Sequence, residues 1–432
     1  MSTTTTPHRL WRNTRYLTWL VSDTSKGLAS ALFGFAVPLL ALIVTNDPAQ
    51  AGIIAGAGMV ARVLLTVWGG ILADRHRRIV LMLVGSLLGI VLAGAFTLLA
   101  VSGSLTFATL LVIDVLLAAR SGLFDVAGES ALKEIVPDDA MGRAQAANQG
   151  RDAALQLAGG PLGGLLLGVG GWLVGVVMTA CHLVAAVTAG LLGRQTRRAG
   201  ITDTGAEEDA GLDAPAIRPN ARRELREGFG WLLSRPDLGG VMLIMTIVNL
   251  GFNAAITTAV YALQQAGHSE LLIGTVSAAI GAVMLAGAIV APLLVPRIPA
   301  GPLTIVGLTV VALGTIVLSS VSAPWAVAVV LGATVLLVPA LNAGMMGYFM
   351  VATPSRLLGR ANSAMGVLAM GAMPLAPLIA GFGLAGLGRQ GTILICAALC
   401  VVAAVLAIGN RALRSLPVES RWAAHAARYE AD

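Results

Sequence analysis

The sequence predicts an all-α membrane protein of twelve transmembrane helices, arranged as two pseudo-symmetric bundles of six. Three observations carry that prediction. The 432 residues are 56% hydrophobic and only 12% charged, with a mean hydropathy of +0.83, whereas a soluble domain carries roughly twice that charged fraction. Apolar stretches of about 20 residues, the length that crosses ~30 Å of hydrocarbon, recur twelve times. A short sequence element also recurs half a chain apart. The 52 glycines point to helices packed closely in lipid, not to a barrel.

The spans run, in order, at 16–44, 49–73, 79–101, 105–127, 144–168, 172–193, 238–266, 270–295, 302–321, 324–350, 361–385 and 390–410. The first is too long for a cleavable signal and is interrupted by Asp23 and Lys26. The tail before it, 1–15, reads as disordered around Thr3 to Thr6. With that tail cytoplasmic, the inward connections and both tails hold 23 of the 28 Lys and Arg residues, and the outward connections hold only Arg389. The positive-inside rule therefore predicts a multi-pass protein of the bacterial cytoplasmic membrane with both termini inside. Trp172 and Trp325 begin spans at the outer interface and Trp19 and Trp68 lie toward the inner one, as in an aromatic belt. The same distribution explains the net charge of +6 without nucleic acid as a partner.

One connection, 194–237, separates a bundle at 16–193 from a bundle at 238–410, with 411–432 left as a second cytoplasmic tail. Its middle, 200–216, has five acids and no base and reads as a solvated linker. Its end differs: Leu225, Phe229, Leu232 and Leu233 share a helical face beside Arg222, Arg223 and Arg226, which predicts an interfacial helix on the inner leaflet. Pro137 followed by Gly142-Arg143-Ala144 returns as Pro354 followed by Gly359-Arg360-Ala361, and Pro161 and Pro377 follow at similar distances. One connection and span thus occur twice in the same orientation, as expected of two parallel repeats around a central path.

The connection between spans two and three reads Gly69-Gly70-Ile71-Leu72-Ala73-Asp74-Arg75-His76-Arg77-Arg78. It resembles the major facilitator superfamily signature G-x-L-A-D-R-x-G-R-[KR], in the same loop. Arg77 stands where the pattern has glycine, and Ile79 where it often has a second base. The resemblance implies the major facilitator fold and a cytoplasmic latch of Gly70, Asp74, Arg75 and Arg78 with Asp125 on span four and the start of span eleven, Gly359 to Ser363. Span five carries Gly159-Gly160-Pro161-Leu162-Gly163-Gly164, similar to the antiporter signature of drug exporters but one residue shorter; ordinary close helix packing is the alternative. With the Gly-Arg-Ala elements, Val136-Pro137 and Glu227-Gly228-Phe229, the chain resembles the drug:proton antiporter branch that includes macrolide and siderophore exporters.

Charges inside spans are expensive and mark function. Asp23, Lys26, Arg62, Asp114, Arg151 and Asp152 form one layer near the midplane, with Arg120 and Asp125 nearer the inner face, all in the first half. Asp23, Asp114 and Asp152 are candidates to carry protons, since burial and neighbouring cations act in opposite directions on such groups. Lys26, Arg62, Arg120 and Arg151 are their charge partners. Packing ion pairs are the competing reading: Asp23 with Lys26 at i, i+3, and Asp152 with Arg62 or Arg120. Asn249, Asn253, Asn342, Met345 and Met346 are substrate-cavity candidates of the more apolar second half, with Gln264 and Met350 beside them; ordinary apolar filling is the alternative for the methionines. His182 reads as a packing residue. Cys181, Cys396 and Cys400 lie in apolar stretches and imply neither disulfide nor metal site. No nucleotide-binding loop is present.

These features together predict a monomeric secondary transporter, not an enzyme. It would need no cofactor, would draw on the proton gradient and would export amphiphilic small molecules, drug-like or siderophore-like, by alternating access. An importer of a polar metabolite and a lipid or lysolipid translocase are the alternatives.

Overall fold

The computed structural model describes residues 12–136, 138–198, 221–235, 237–354 and 357–429. Contacts divide the chain into two compact units, with α1–α6 making up nearly all of the first and α7–α16 nearly all of the second. No strand occurs among the described residues, as expected where every backbone polar group must be satisfied within its own segment.

The first unit comprises α1 (Thr14–Thr45), α2 (Pro48–Arg75), α3 (Arg78–Val101), α4 (Phe107–Ile135), α5 (Asp138–Val169) and α6 (Gly171–Arg198). Their ends follow local chemistry. Asn13 caps α1 by accepting from the backbone N–H groups of Arg15 and Tyr16, at 3.0 and 3.2 Å, and Thr106 and Thr109 form a capping box on α4. Within the unit α1 packs on α4, α5 and α6, and α3 packs on α4 and α6. Tyr16 and Trp19 are fully buried and stacked, and the Trp19 indole donates to the Gly128 carbonyl at 2.9 Å.

The second unit begins with α7 (Ala221–Ser234) and continues through α8 (Gly239–Gln265), α9 (Glu270–Leu294), α10 (Ala300–Leu318), α11 (Pro324–Val335), α12 (Val338–Ala352), α13 (Leu358–Gly371) and α14 (Leu375–Gly409). α15 (Arg411–Arg414) and α16 (Trp422–Ala426) close it. Eleven segments among the described residues are long and apolar enough to cross a membrane, α11 and α12 being taken together. The span expected at 324–350 is interrupted because Pro339 has no N–H to continue the ladder at the start of α12.

The span expected at 361–385 is likewise divided, between α13 and the start of α14, where Pro374 sits at the break. α14 itself reverses at Gly388, whose φ of 67° and ψ of −179° suit glycine alone. A Cβ on Gly383 would lie 2.5 Å from the Thr392 side chain, although nine residues of straight helix span ~13 Å. The two legs are therefore a tight hairpin. Arg389 begins the second leg and caps the end of α10, donating to the carbonyls of Leu318 at 2.9 Å, Ser319 at 3.4 Å and Val321.

Two segments expected to be peripheral are integrated. α7 packs against α13 and α8, with Leu232 buried, Glu227 paired to Arg360 at 2.6 Å, and Gly228 so close to the Arg360 carbonyl that a Cβ would sit 2.3 Å away. Of the apolar face expected for this helix, Leu233 is exposed, Phe229 half-buried, and the side chain of Leu225 lies outside the described residues. The acidic linker at 200–216 also lies outside them. The segment after α14, expected as a cytoplasmic tail, folds onto the unit, because Leu413, Leu416 and Trp422 bury against its core. The carbonyls of Pro417 and Leu416 accept from the N–H groups of Ala300 and Gly301, at 3.2 and 3.3 Å. Those are orphan donors at the start of α10.

Candidate functional site

In the first unit α4 carries Asp114, Leu117, Arg120 and Ser121, spaced three, six and seven residues on, so that all share one face. That face lines a cavity of about 130 Å³, completed by Ser30, Phe33 and Pro38 of α1, Gly58, Met59 and Arg62 of α2, and Met178 and His182 of α6. Asp114 is 4% exposed, and its Oδ2 has no hydrogen-bond partner. A Cβ on Gly58 would lie 2.0 Å from that oxygen, so glycine is what leaves room for the carboxylate.

Arg120, equally buried, is committed elsewhere. It pairs with Asp125 at 2.6 Å and points Nη1 at the His182 ring nitrogens, at 3.2 and 3.4 Å. The guanidinium has only donors, so the imidazole nitrogen facing it is an acceptor. Ser121 donates to the other Asp125 oxygen at 2.6 Å.

A second cavity of about 310 Å³ shares Ser30 and Arg62 with the first and is lined by Asp23, Lys26, Asp125, Glu129, Arg151 and Asp152. Asp23 bridges Lys26 at 3.1 Å and Arg151 at 2.8 Å. Arg151 also reaches Asp152 at 2.8 Å and lies 5.7 Å over the Trp19 ring. The expected i, i+3 pair of Asp23 and Lys26 is therefore present. Asp152, expected beside Arg62 or Arg120, pairs with Arg151 instead and is 55% exposed on its side chain. The three acids differ in kind: Asp23 is held by two cations, Asp152 is largely solvated, and Asp114 is buried with an oxygen that no partner holds.

The latch differs from the expectation. Arg78, at the start of α3, pairs with Glu134 at 2.7 Å and with the Ser130 carbonyl at 3.1 Å. Asp125 lies nine residues before Glu134, ~13 Å further along the helix, and is bound to Arg120 and Ser121. Gly70 faces open space, the close approach falling to Gly69 against the Gly122 carbonyl. Arg75 is exposed. The side chains of Asp74 and Ser363, and the surroundings of Gly359, lie outside what is described.

The substrate-cavity candidates of the second unit differ in burial. Met345 is 5% exposed and belongs to the core around Tyr348, Phe349 and Trp422, with Met346 packed against it. It fills space, because its place on α12 faces the folded C-terminal segment. Asn249 and Asn342 are exposed, and Asn253 donates to the Asn249 carbonyl at 2.8 Å. Cys396 and Cys400 are buried in helix packing, Cys400 beside Thr315.

Sequence reasoning passed over a cluster below α8. Arg235 holds Asp237 through two hydrogen bonds of 2.9 Å, Tyr348 donates to Asp237 at 2.5 Å, and Trp422 and His425 pack edge-on to Tyr348. Its signal was an acid and a base two residues apart around Pro236, just before an apolar run. Glu129 and Glu134 were also missed; they lie on the polar last turns of α4, beyond the expected end of that span.

A helical, multiply spanning chain with titratable groups at membrane depth defines the class of polytopic membrane transporters. The model of the Major Facilitator Superfamily matches residues 24–373, and the chain belongs to that family. No curated protein is similar enough to count as a match. Among solved structures, a bacterial homologue of the iron transporter ferroportin, in an inward-facing state, is similar with a TM-score of 0.69 at 15% identity, over 92% of this chain and 98% of that one. The nucleoside transporter NupG, solved as a point mutant, gives 0.65 at 12%, over 91% and 100%. A bacterial homologue of the human lysosomal transporter Spinster gives 0.64 at 14%, over 93% and 97%. At these identities the likeness is one of fold.

Proposed function

We propose that this chain is a monomeric, proton-coupled exporter of amphiphilic small molecules, working by alternating access in a cytoplasmic membrane with both termini inside. The observation that carries the reading is Asp114: a buried carboxylate with an unpartnered oxygen in a cavity whose lining joins the apolar Phe33, Met59, Leu117 and Met178 to the polar Ser30, Arg62, Arg120, Ser121 and His182. A structural ion pair has its partner in place; a carrier of protons needs an oxygen left free to take one. Asp23 and Asp152, both bound to Arg151, set the electrostatics of the neighbouring cavity. Phe33, Met59, Leu117 and Met178 offer an amphiphilic, drug-like or siderophore-like ligand an apolar surface, and Ser30, Arg62, Ser121 and His182 offer partners for its polar groups. The proton gradient supplies the energy, with no resident cofactor.

The test is export from inverted vesicles with and without a pH gradient. Asp114→Asn keeps the shape and removes the titratable group, so it should abolish pH-driven accumulation while substrate binding and passive exchange persist. Accumulation at the wild-type level in that variant refutes Asp114 as the carrier. A wild-type protein indifferent to the pH gradient refutes proton coupling altogether.

A further inference from the structure

On the first unit's outer surface, Leu65, Trp68, Leu72, Arg75 and His76 of α2 line an open groove of about 420 Å³, with Ile71 at its side and Leu123 of α4 as its far wall. Positions 65, 68, 72 and 75 fall on one helical face, so the groove is a single track along α2, apolar at one end and cationic at the other. Its floor is firm. Gly69 touches the Gly122 carbonyl and Gly122 touches the Arg62 carbonyl so closely that Cβ atoms there would lie at 2.2 and 2.6 Å. The rim is uncovered, with Trp68 63% exposed and Leu64 and Val67 alongside it. From Leu65 to Arg75 the track rises ~15 Å, half of the ~30 Å hydrocarbon core, which is the depth of one leaflet.

The charge at its end is available. Arg78 is taken by Glu134, whereas Arg75 and His76 both line the groove and are exposed. We propose that this groove binds one anionic phospholipid of the cytoplasmic leaflet, with its phosphate on Arg75 and His76 and an acyl chain along Leu72, Trp68 and Leu65 against Leu123. Charge complementarity selects the occupant: a guanidinium presents a fork of donors that matches phosphate oxygens, and an apolar track one leaflet deep suits an acyl chain. The placement rests on the inside orientation of this loop and is independent of which residue carries protons.

Native mass spectrometry of the full chain in mild detergent tests it, with phosphatidylglycerol, phosphatidylcholine and glycerol phosphate as probes. Phosphatidylglycerol should be retained as a 1:1 adduct, at least fivefold tighter than phosphatidylcholine, while glycerol phosphate is not retained. The double variant Arg75→Gln, His76→Gln should abolish the fivefold preference and leave phosphatidylcholine unchanged. Arg75→Lys should keep the preference, and Trp68→Ala should weaken both lipids. Equal retention of the two lipids by the wild type overturns the proposal, as does a preference that survives the double variant. Retention of glycerol phosphate would mark a free-phosphate site instead. A dimer mass that excludes lipid would make the groove a contact between copies.

Discussion

The two units hold their charges in opposite ways. In the first, acids and bases lie along α1, α2, α4 and α5 at membrane depth, and one of them, Asp114, has an oxygen that bonds to nothing. In the second, the buried charges gather at the loop before α8, where Arg235 and Tyr348 both hold Asp237 and Arg235 also reaches the Ala426 carbonyl. A closed cluster of this kind fixes structure, and removing one member leaves an uncompensated buried charge. An open cluster leaves a group free to change its protonation state or its partner. The contrast separates residues whose loss should unfold the protein from residues whose loss should stop it working.

The largest effect expected on that basis is at the closed cluster. Asp237→Ala should destabilise the protein by about 3–5 kcal/mol, the range for breaking a buried pair, read as a lower unfolding temperature in detergent. An unchanged unfolding temperature would erase the contrast. The Asp237 carboxyl is desolvated by burial, but the hydrogen bonds from Arg235 and Tyr348 outweigh this and hold it below the usual carboxylate range. Because its folded value is depressed, its stabilisation is complete above pH ~4, the ordinary value, and fades as the pH falls further. The acid limb of the stability curve should flatten in Asp237→Asn.

Asp23→Asn comes next. It should lower stability by about 2 kcal/mol, less than a full deletion because the amide oxygen still accepts from one of the two cations. Asp114→Asn should leave the unfolding temperature unchanged or raise it, and a marked fall would show that Asp114 is structural.

A smaller effect is expected at the end of α4. A double-mutant cycle on Arg78 and Glu134, both partly exposed, should return a coupling of about 1 kcal/mol, and the same cycle on Arg78 and Asp125 about zero. The smallest is Asp152→Asn, within about 1 kcal/mol because that side chain is mostly solvated. His425 adds a pH signature of its own. Burial first, then the nearby Arg428, lowers its affinity for protons, so its contribution is complete above its ordinary value of ~6.5 and is lost as the pH drops below it. His425→Gln should remove that slope.

Much of the architecture was legible because hydropathy and charge are additive along a chain. The spans, the loop motif and the pairing of Asp23 with Lys26 needed no knowledge of what lies opposite. The reading failed where the deciding partner is distant in sequence. Asp125 looked like the latch acid because it is charged and near the inner end of span four, yet Glu134 sits level with Arg78. The segment after α14 read only as a cytoplasmic tail because its basic residues, Arg411, Arg414 and Arg421 among them, mark an inward segment, whereas Leu413, Leu416 and Trp422 decide where it packs. The divided span at 361–385 escaped because averaging hydropathy ignores what Pro374 does to the backbone.

The cap that residues 416 and 417 place on α10 has a consequence for biosynthesis. A chain emerging from the ribosome presents the first residues of α10 more than a hundred residues before the carbonyls that will satisfy them. Gly301 leaves room for a strand of protein that has not been made yet: a Cβ there would lie 2.0 Å from the Leu413 carbonyl. The second unit therefore waits, the start of α10 uncapped, until residues 411–426 have been translated, while the first unit already has all its helices.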